Sequence, residues 1–421
     1  MTQEKKQWGA IVIMIALFAM IAFVTNLCSP MAIIVKNDFG ASNVLAQIGN
    51  YGNFIAYLLM GIPSGMLIAK YGYKKTALIG LIVGIIGILV QWLSGHVGKE
   101  SAFLVYLIGA FISGFTMCIL NAVVNPMLNL LGGGGNKGNQ LIQIGGVFNS
   151  AAAVAVYIIM GALIGDAAKA HIADATPALM IALAIFIVGF IGIFFTKIEE
   201  PEQAPVDISL VKGALKYRHF VLGILAIFLY MGVEVGTPTY ILQYLTAPIE
   251  EGGKGMQADI VGLIVAVYWL MMLVGRFVGG AIGGKISSRV MITAVASLSI
   301  ALVLFGMYAP NTLVSVPGID WANLQLIWAE VPVGIFAFLM VGLCTSVMWG
   351  GIFNMAVEGL GKYTAIASGI FMTMVFGCAV MVAIQGLVAD MTDYMTSYWV
   401  VVGCAAYILF YALIGSRVSK K

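Results

Sequence analysis

Long apolar runs, interrupted by short polar or glycine-rich stretches, dominate this chain from end to end. About twenty apolar residues suffice to cross the hydrocarbon core of a bilayer. On that template the pattern predicts twelve helices, over 8–35, 43–70, 76–94, 102–131, 140–165, 177–196, 219–245, 258–284, 290–309, 326–357, 367–390 and 397–415. The first follows MTQEKKQW with no small-residue cleavage site, so it reads as a transmembrane helix and not a removed signal peptide. An even number of crossings puts both termini on one side. Seventeen of the 21 basic residues fall on that side, and only Lys36, Lys99, Lys169 and Lys254 on the other. By the positive-inside rule the termini are expected to be cytoplasmic, in a multi-pass protein of the cell inner (plasma) membrane.

The longest polar interruption, KIEEPEQAPVDISLVKGALKYRH, divides the pattern in two. The expected organisation is a six-helix bundle over 1–196, a cytoplasmic linker over 197–218 and a second six-helix bundle over 219–421. DISLVKGALKYRH within the interruption suggests a short surface helix. The halves echo one another. NPMLNLLG and NMAVEGLG align Asn125 with Asn354 and Gly132 with Gly361, and GMLIAKYGYKK parallels GGAIGGKISSR. Such traces are what a duplicated bundle leaves behind. The fold class expected is an all-α membrane protein with twelve transmembrane helices in two six-helix halves.

Composition narrows the class further. The chain is 61% hydrophobic and 9% charged, whereas a soluble domain carries about a quarter charged residues. Its net charge of +3 is spread over loops and forms no nucleic-acid patch. The cysteines (Cys28, Cys118, Cys344, Cys378 and Cys404) sit in apolar runs without metal-ligand spacing and read as packing residues. The glycine run at 132–135 lacks the GK[ST] continuation of a phosphate loop. No nucleophile–base pair stands out, so catalysis is not expected, and no cofactor beyond a coupling Na+ or H+.

Chemistry enters through side chains placed where lipid would reject them. Asn121, Asn125 and Asn129 are spaced i, i+4, i+8 and share one stripe of a helix. Asn43, Gln47, Asn50, Phe54 and Tyr57 form a second stripe, and Asn26 precedes a helix-bending Pro30. Gln143, Asn149 and Ser150 follow on helix five, with Trp349 and Asn354 on helix ten. Amides donate and accept at once, and aromatic faces stack on pyranose rings, so such a lining suits a neutral polyhydroxyl ligand. The competing reading is hydrogen bonding that only glues the bundle. In FLYMGVEVGTPTYILQYL, Glu234 lies near mid-span, where a carboxylate is a candidate for holding a proton or a sodium ion. Arg276, in MMLVGRFVGG, reads as a structural or gating contact.

Several segments carry a family resemblance: IPSGMLIAKYGYKK (62–75), NAVVNPMLNLLG (121–132), FNS (148–150), FLYMGVEVG (228–236) and GRF (275–277). With them the chain resembles the fucose–galactose–glucose:proton symporters of the major facilitator superfamily. The resemblance implies the fold of that superfamily and a sugar-like substrate. It also exposes departures. Asn26 and Asn121 stand where the family's fucose permease has acidic residues tied to proton coupling and sugar binding, and Gly146 stands where a glutamine is usual. An amide does not ionise, yet it can offer an oxygen to a hydroxyl or to sodium.

The resulting expectation is a secondary transporter that imports a neutral sugar (hexose, deoxyhexose or amino sugar) by alternating access. Asn26, Asn50, Asn121, Asn125, Asn149, Trp349 and Asn354 would contact the sugar, and Glu234 would carry the coupling cation, sodium favoured over a proton. The expected partners are the sugar and the lipid bilayer, with no nucleic acid and the chain acting as a monomer. An exporter or uncoupled facilitator of another small solute is the alternative, and a transporter-like sensor the reading outside transport.

Overall fold

The computed structural model describes residues 7–39, 43–164, 171–200, 209–256, 258–310, 312–320 and 325–418. The side chains of 28–51, 53, 99–100, 157–164, 172, 258–259, 319–320 and 325–327 lie outside that description, Asn50 among them. The elements are helices α1 (Trp8–Phe39), α2 (Asn43–Ser94), α3 (Lys99–Leu131), α4 (Gly135–Ile164) and α5 (Thr176–Phe195). After a short α6 (Ser209–Ala214) come α7 (Arg218–Thr246), α8 (Ala258–Ile282) and α9 (Ser288–Tyr308). Strands β1 (Leu313–Asp320) and β2 (Gln325–Pro332) follow, then α10 (Val333–Val357), α11 (Thr364–Thr373), α12 (Gly377–Met391) and α13 (Tyr394–Phe410). Three of these need splitting or joining to count membrane crossings. The 52-residue α2 holds two crossings, broken at Gly72 (φ 82°, ψ 172°), and α11 and α12 form one crossing through a tight turn at Met374–Phe376. Among the described residues this gives the twelve crossings the hydropathy pattern demands. The fold is an all-α membrane bundle of two six-helix halves, in which the side carrying the linker is called the linker side below.

Where the elements depart from expectation, local chemistry accounts for it. The polar stretch expected between helices two and three shrinks to one residue, because Gly72 alone turns the chain in a conformation that L side chains rarely adopt. The next leg is capped from outside. Glu200 accepts the backbone N–H groups of Tyr73 (2.9 Å) and Lys74 (2.7 Å), while Lys74 Nζ donates to the Thr196 carbonyl (2.7 Å) at the end of α5. A carboxylate on free N–H groups at a helix start and an ammonium on free carbonyls at a helix end both satisfy groups the helices leave open. Helix ten starts at Val333, not 326, because Gln325–Pro332 pairs antiparallel with Leu313–Asp320 and Pro332 marks the helix start. Val316, Gly318, Ala329 and Val331 lie on the covered side of this hairpin, and Ser315, Pro317, Trp328 and Glu330 on the exposed side. Helix five begins earlier than expected, at Gly135, directly after Gly133 and Gly134 turn the chain at φ 83° and 70°.

Prolines inside helices shape the interior. A proline leaves the carbonyl four residues earlier without its helical donor. Pro126 does this to Ala122, and Ser368 of α11 donates to that carbonyl at 2.9 Å from the other half. Pro238 does it to Glu234, and the Tyr268 hydroxyl of α8 takes the place at 3.0 Å. The halves meet closely along two glycine-lined seams. On α2, a Cβ at Gly65 would lie 3.1 Å from the Ala365 carbonyl and 3.2 Å from the Gly369 Cα, and one at Gly369 would collide with the Gly61 carbonyl. On the α4–α8 seam, a Cβ at Gly280 would lie 3.2 Å from Ile144, and Gly279 and Gly283 face Gln143 and Gln140.

Gly369→Leu is therefore expected to lower the apparent melting temperature in detergent by several degrees, as overpacking a filled contact costs about 1–3 kcal/mol. Gly403→Leu, at an exposed site with nothing within 4 Å of the added carbon, is the control expected to leave it unchanged in a thermal-shift assay.

Candidate functional site

The amide stripe of α3 is the spine of the site. Asn121, Asn125 and Asn129 are 8%, 0% and 9% exposed, so the stripe is covered along its length. Its cover comes from three helices. Asn121 Nδ2 donates to the Tyr57 hydroxyl of α2 at 2.7 Å. Asn125 Oδ1 accepts the indole N–H of Trp349 on α10 at 3.1 Å, and its Nδ2 donates to the Asn121 carbonyl at 2.9 Å. Asn129 Nδ2 donates to Asn354 Oδ1 at 2.8 Å, and Asn354 Nδ2 passes on to Ser288 Oγ of α9 at 2.9 Å. Two of the three links thus cross from the first half to the second. Gln143 adds another by donating to the Val347 carbonyl at 3.1 Å, and Gln140 another to the Gly280 carbonyl at 2.9 Å. Asn129 and Asn354 stand near the ends of their helices on the linker side, so this end of the polar seam is shut.

Deeper in, Trp349 begins an aromatic wall. Its ring centroid lies 6.2 Å from Tyr230 and 5.7 Å, edge-on, from Phe371. Tyr230, one turn before Glu234 on α7, is fully buried and donates to the Thr345 carbonyl at 3.3 Å. Trp349 itself keeps part of its surface open.

The charged centre follows. Glu234 Oε1 faces the Arg276 guanidinium at 3.8 Å, with side chains 13% and 11% exposed. The other arm of the guanidinium leaves its own half. Arg276 NH1 donates to the Gly146 carbonyl (3.2 Å), Asn149 Oδ1 (2.9 Å) and Ser150 Oγ (2.8 Å), all on α4. Asn149 Nδ2 in turn donates to the Phe18 carbonyl of α1 at 2.8 Å. Gly146 makes room for this approach, since a Cβ there would lie 3.1 Å from Arg276 Cδ. Asn26 stands apart. Its amide donates to the Ala22 carbonyl of its own helix at 2.8 Å, and it is half-buried.

Of the residues singled out from sequence, the structure brings Asn121, Asn125 and Trp349 into one network, Asn149 and Glu234 into a second through Arg276, and Asn354 into a third with Asn129. Sequence reasoning did not foresee the partners Ser288, Ser368 and Tyr268, and it placed Tyr57 on the second stripe without naming Asn121 as its partner. For Arg276 a signal was present, because a guanidinium flanked by MMLVG and FVGG has nowhere polar to go on its own helix. Gln143 and Ser150 were noticed, but their partners are 204 and 126 residues away in sequence. The cysteines Cys118, Cys344, Cys378 and Cys404 are free and buried.

A fold of this kind invites comparison with known proteins. The family model for the Major Facilitator Superfamily matches residues 13–384. The chain belongs to the major facilitator superfamily. It is 28% identical over 424 residues to a protein named glucose/galactose transporter from Brucella abortus biovar 1 (strain 9-941), covering 99% of this chain and 96% of that one. It is 22% identical over 431 residues to the L-fucose-proton symporter of Escherichia coli (strain K12), covering 96% and 92%. Among solved structures, the superfamily transporter FucP in its outward conformation superimposes with a TM-score of 0.80 at 20% identity, over 98% of this chain and 99% of that one. A bacterial homologue of the iron transporter ferroportin gives 0.70 at 11% identity over 98% and 100%. Likeness at such identities speaks for the fold alone.

Removing one member of the Asn125–Trp349 amide–indole pair strands the other. Asn125→Leu and Trp349→Phe are each expected to destabilise the protein by about 1–3 kcal/mol, and the double variant by less than the sum of the two. A double-mutant cycle on unfolding midpoints checks this.

Proposed function

We propose that this superfamily member is a secondary transporter that carries a neutral sugar, a hexose or a close relative, by alternating access. The observation that carries the reading is the end-to-end likeness to proteins named glucose/galactose transporter. The chemistry of the interior supports it. Asn26, Asn149, Trp349, Glu234 and Arg276 all lie well inside their helices and keep part of their surface reachable, while the shut contacts lie toward the linker side. A chamber open on one side only would have this arrangement. The charges of Glu234 and Arg276 balance, so a neutral guest meets no net charge. Asn26, Asn149 and Trp349 would present amides and an indole to its hydroxyls and ring faces, Asn121 and Asn125 would reach it only once the contacts that cover them part, and Asn354 would belong to the closing contact. The moving bodies would be 1–196 and 219–421, with the termini and the linker in the cytoplasm and the chain in the inner membrane.

For the coupling ion the reading changes. Sodium, favoured from sequence, finds no support, since the relatives whose names state an ion are proton symporters. Electrostatics points the same way. A sodium ion on Glu234 would sit beside the Arg276 guanidinium, and like charges about 4 Å apart repel by about 4 kcal/mol at an effective dielectric of about 20. A proton neutralises the carboxylate without adding a second cation beside the guanidinium. Glu234 is therefore taken as the proton carrier.

In proteoliposomes, the purified protein should accumulate one or more of a panel of hexoses, deoxyhexoses and amino sugars when an inward proton gradient is imposed, and should ignore a sodium gradient. Glu234→Gln should abolish concentrative uptake and leave sugar exchange intact. Unchanged accumulation by that variant would remove Glu234 from the mechanism.

A further inference from the structure

Arg276 is the residue of the charged centre that touches both halves. Its NH2 faces Glu234 within the second half, and its NH1 makes three hydrogen bonds to α4 of the first. From this geometry we infer that Arg276 is a positioning residue that converts the charge on Glu234 into the strength of the α4–α8 contact, and that Gly146 is the site on α4 shaped to receive it.

Among the described residues, the groups facing Glu234 are Tyr230 on its own helix, Arg276 and Tyr268 on α8, and Cys378 on α12. Arg276 is the cation among them. With Glu234 ionised, the guanidinium has a counter-charge, and its second arm is held where three neutral oxygens of α4 lie in reach. Pairing of this kind suits arginine, whose planar fork can serve two partners at once, and not lysine. When a proton turns the carboxylate into a neutral acid, the guanidinium keeps its charge but loses the carboxylate that balanced it. Neutral oxygens alone compensate a buried cation poorly, and breaking one partner out of a buried pair is strongly unfavourable. Relief comes from admitting water to the guanidinium, and water can enter by loosening the seam where Gly279, Gly280 and Gly283 meet Gln140, Gln143 and Ile144. That seam lies on the linker side of Arg276, so protonation from the open side weakens the closure on the opposite side.

The inference rests on the reading of Glu234 as the proton carrier, and the test separates the two. Lys137 and Lys285 are exposed, at the linker-side ends of α4 and α8. Spin labels introduced by Lys137→Cys and Lys285→Cys in liposome-embedded protein report the seam by their distance. Glu234→Gln, which mimics the protonated acid, should raise the ratio of long to short distances at least about fivefold, the lower range of ordinary coupling between sites. Adding Arg276→Gln should return the distribution to short distances, because no unbalanced cation remains. Arg276→Lys should lengthen the distance even with Glu234 intact, and acidifying the otherwise unaltered labelled protein should lengthen it as well. If Glu234→Gln loses accumulation yet leaves the distances as they were, the latch is wrong and the proton-carrier reading stands. If Glu234→Gln still accumulates sugar, the proton-carrier reading itself is wrong. Equal lengthening with and without Arg276 would also overturn the latch, since opening would not need the guanidinium.

Discussion

A polar atom at membrane depth has no water to fall back on, so it must find a partner inside the protein or face a wetted space. Most of the architecture here follows from that constraint. Pro126 and Pro238 free carbonyls that a lipid-facing helix could not tolerate, and Ser368 and Tyr268 occupy them from neighbouring helices. The asparagines of α3 are each matched by a donor or acceptor on another element or on the turn before. The partners are found largely across the boundary between the halves. Polar satisfaction and closure of the linker side thus share contacts, among them Asn129–Asn354 and Gln143–Val347.

This double use has a consequence for energetics. Contacts made of apolar side chains would gain little by separating in a bilayer and little by closing, because lipid is as apolar as the side chains. Amide pairs behave differently once water can reach them. An opened Asn129 or Asn354 exchanges its partner for water at a small net cost, since a hydrogen bond is worth only about 1 kcal/mol net. A seam built from such pairs can shut tightly and still open. The glycines beside it allow close approach without interlocking side chains that would have to be unthreaded.

The twelve crossings and the existence of a polar interior were legible in the residues themselves, because apolar run length and the i, i+4, i+8 amide spacing are local signals. Glu234 was legible for the same reason. The single-residue break at Gly72 was not, since YGYKK reads as a loop until Glu200, far along the chain, supplies the cap. The β-hairpin was hidden because LIWAEVP is apolar enough to extend helix ten, and only pairing with Leu313–Asp320 withdraws it. Residue pairing across the halves was the least visible of all. Nothing near Asn129 announces Asn354, or near Arg276 announces Asn149, because their meeting depends on how two bundles dock.

The most direct test of the account locks the seam and asks whether transport stops. Oxidation of a protein carrying Asn129→Cys and Asn354→Cys should join the two helices where their amides now bond, and sugar exchange should cease until a reductant restores it. Exchange continuing at its full rate through a verified cross-link would contradict the claim that this polar contact opens and shuts with each passage of substrate.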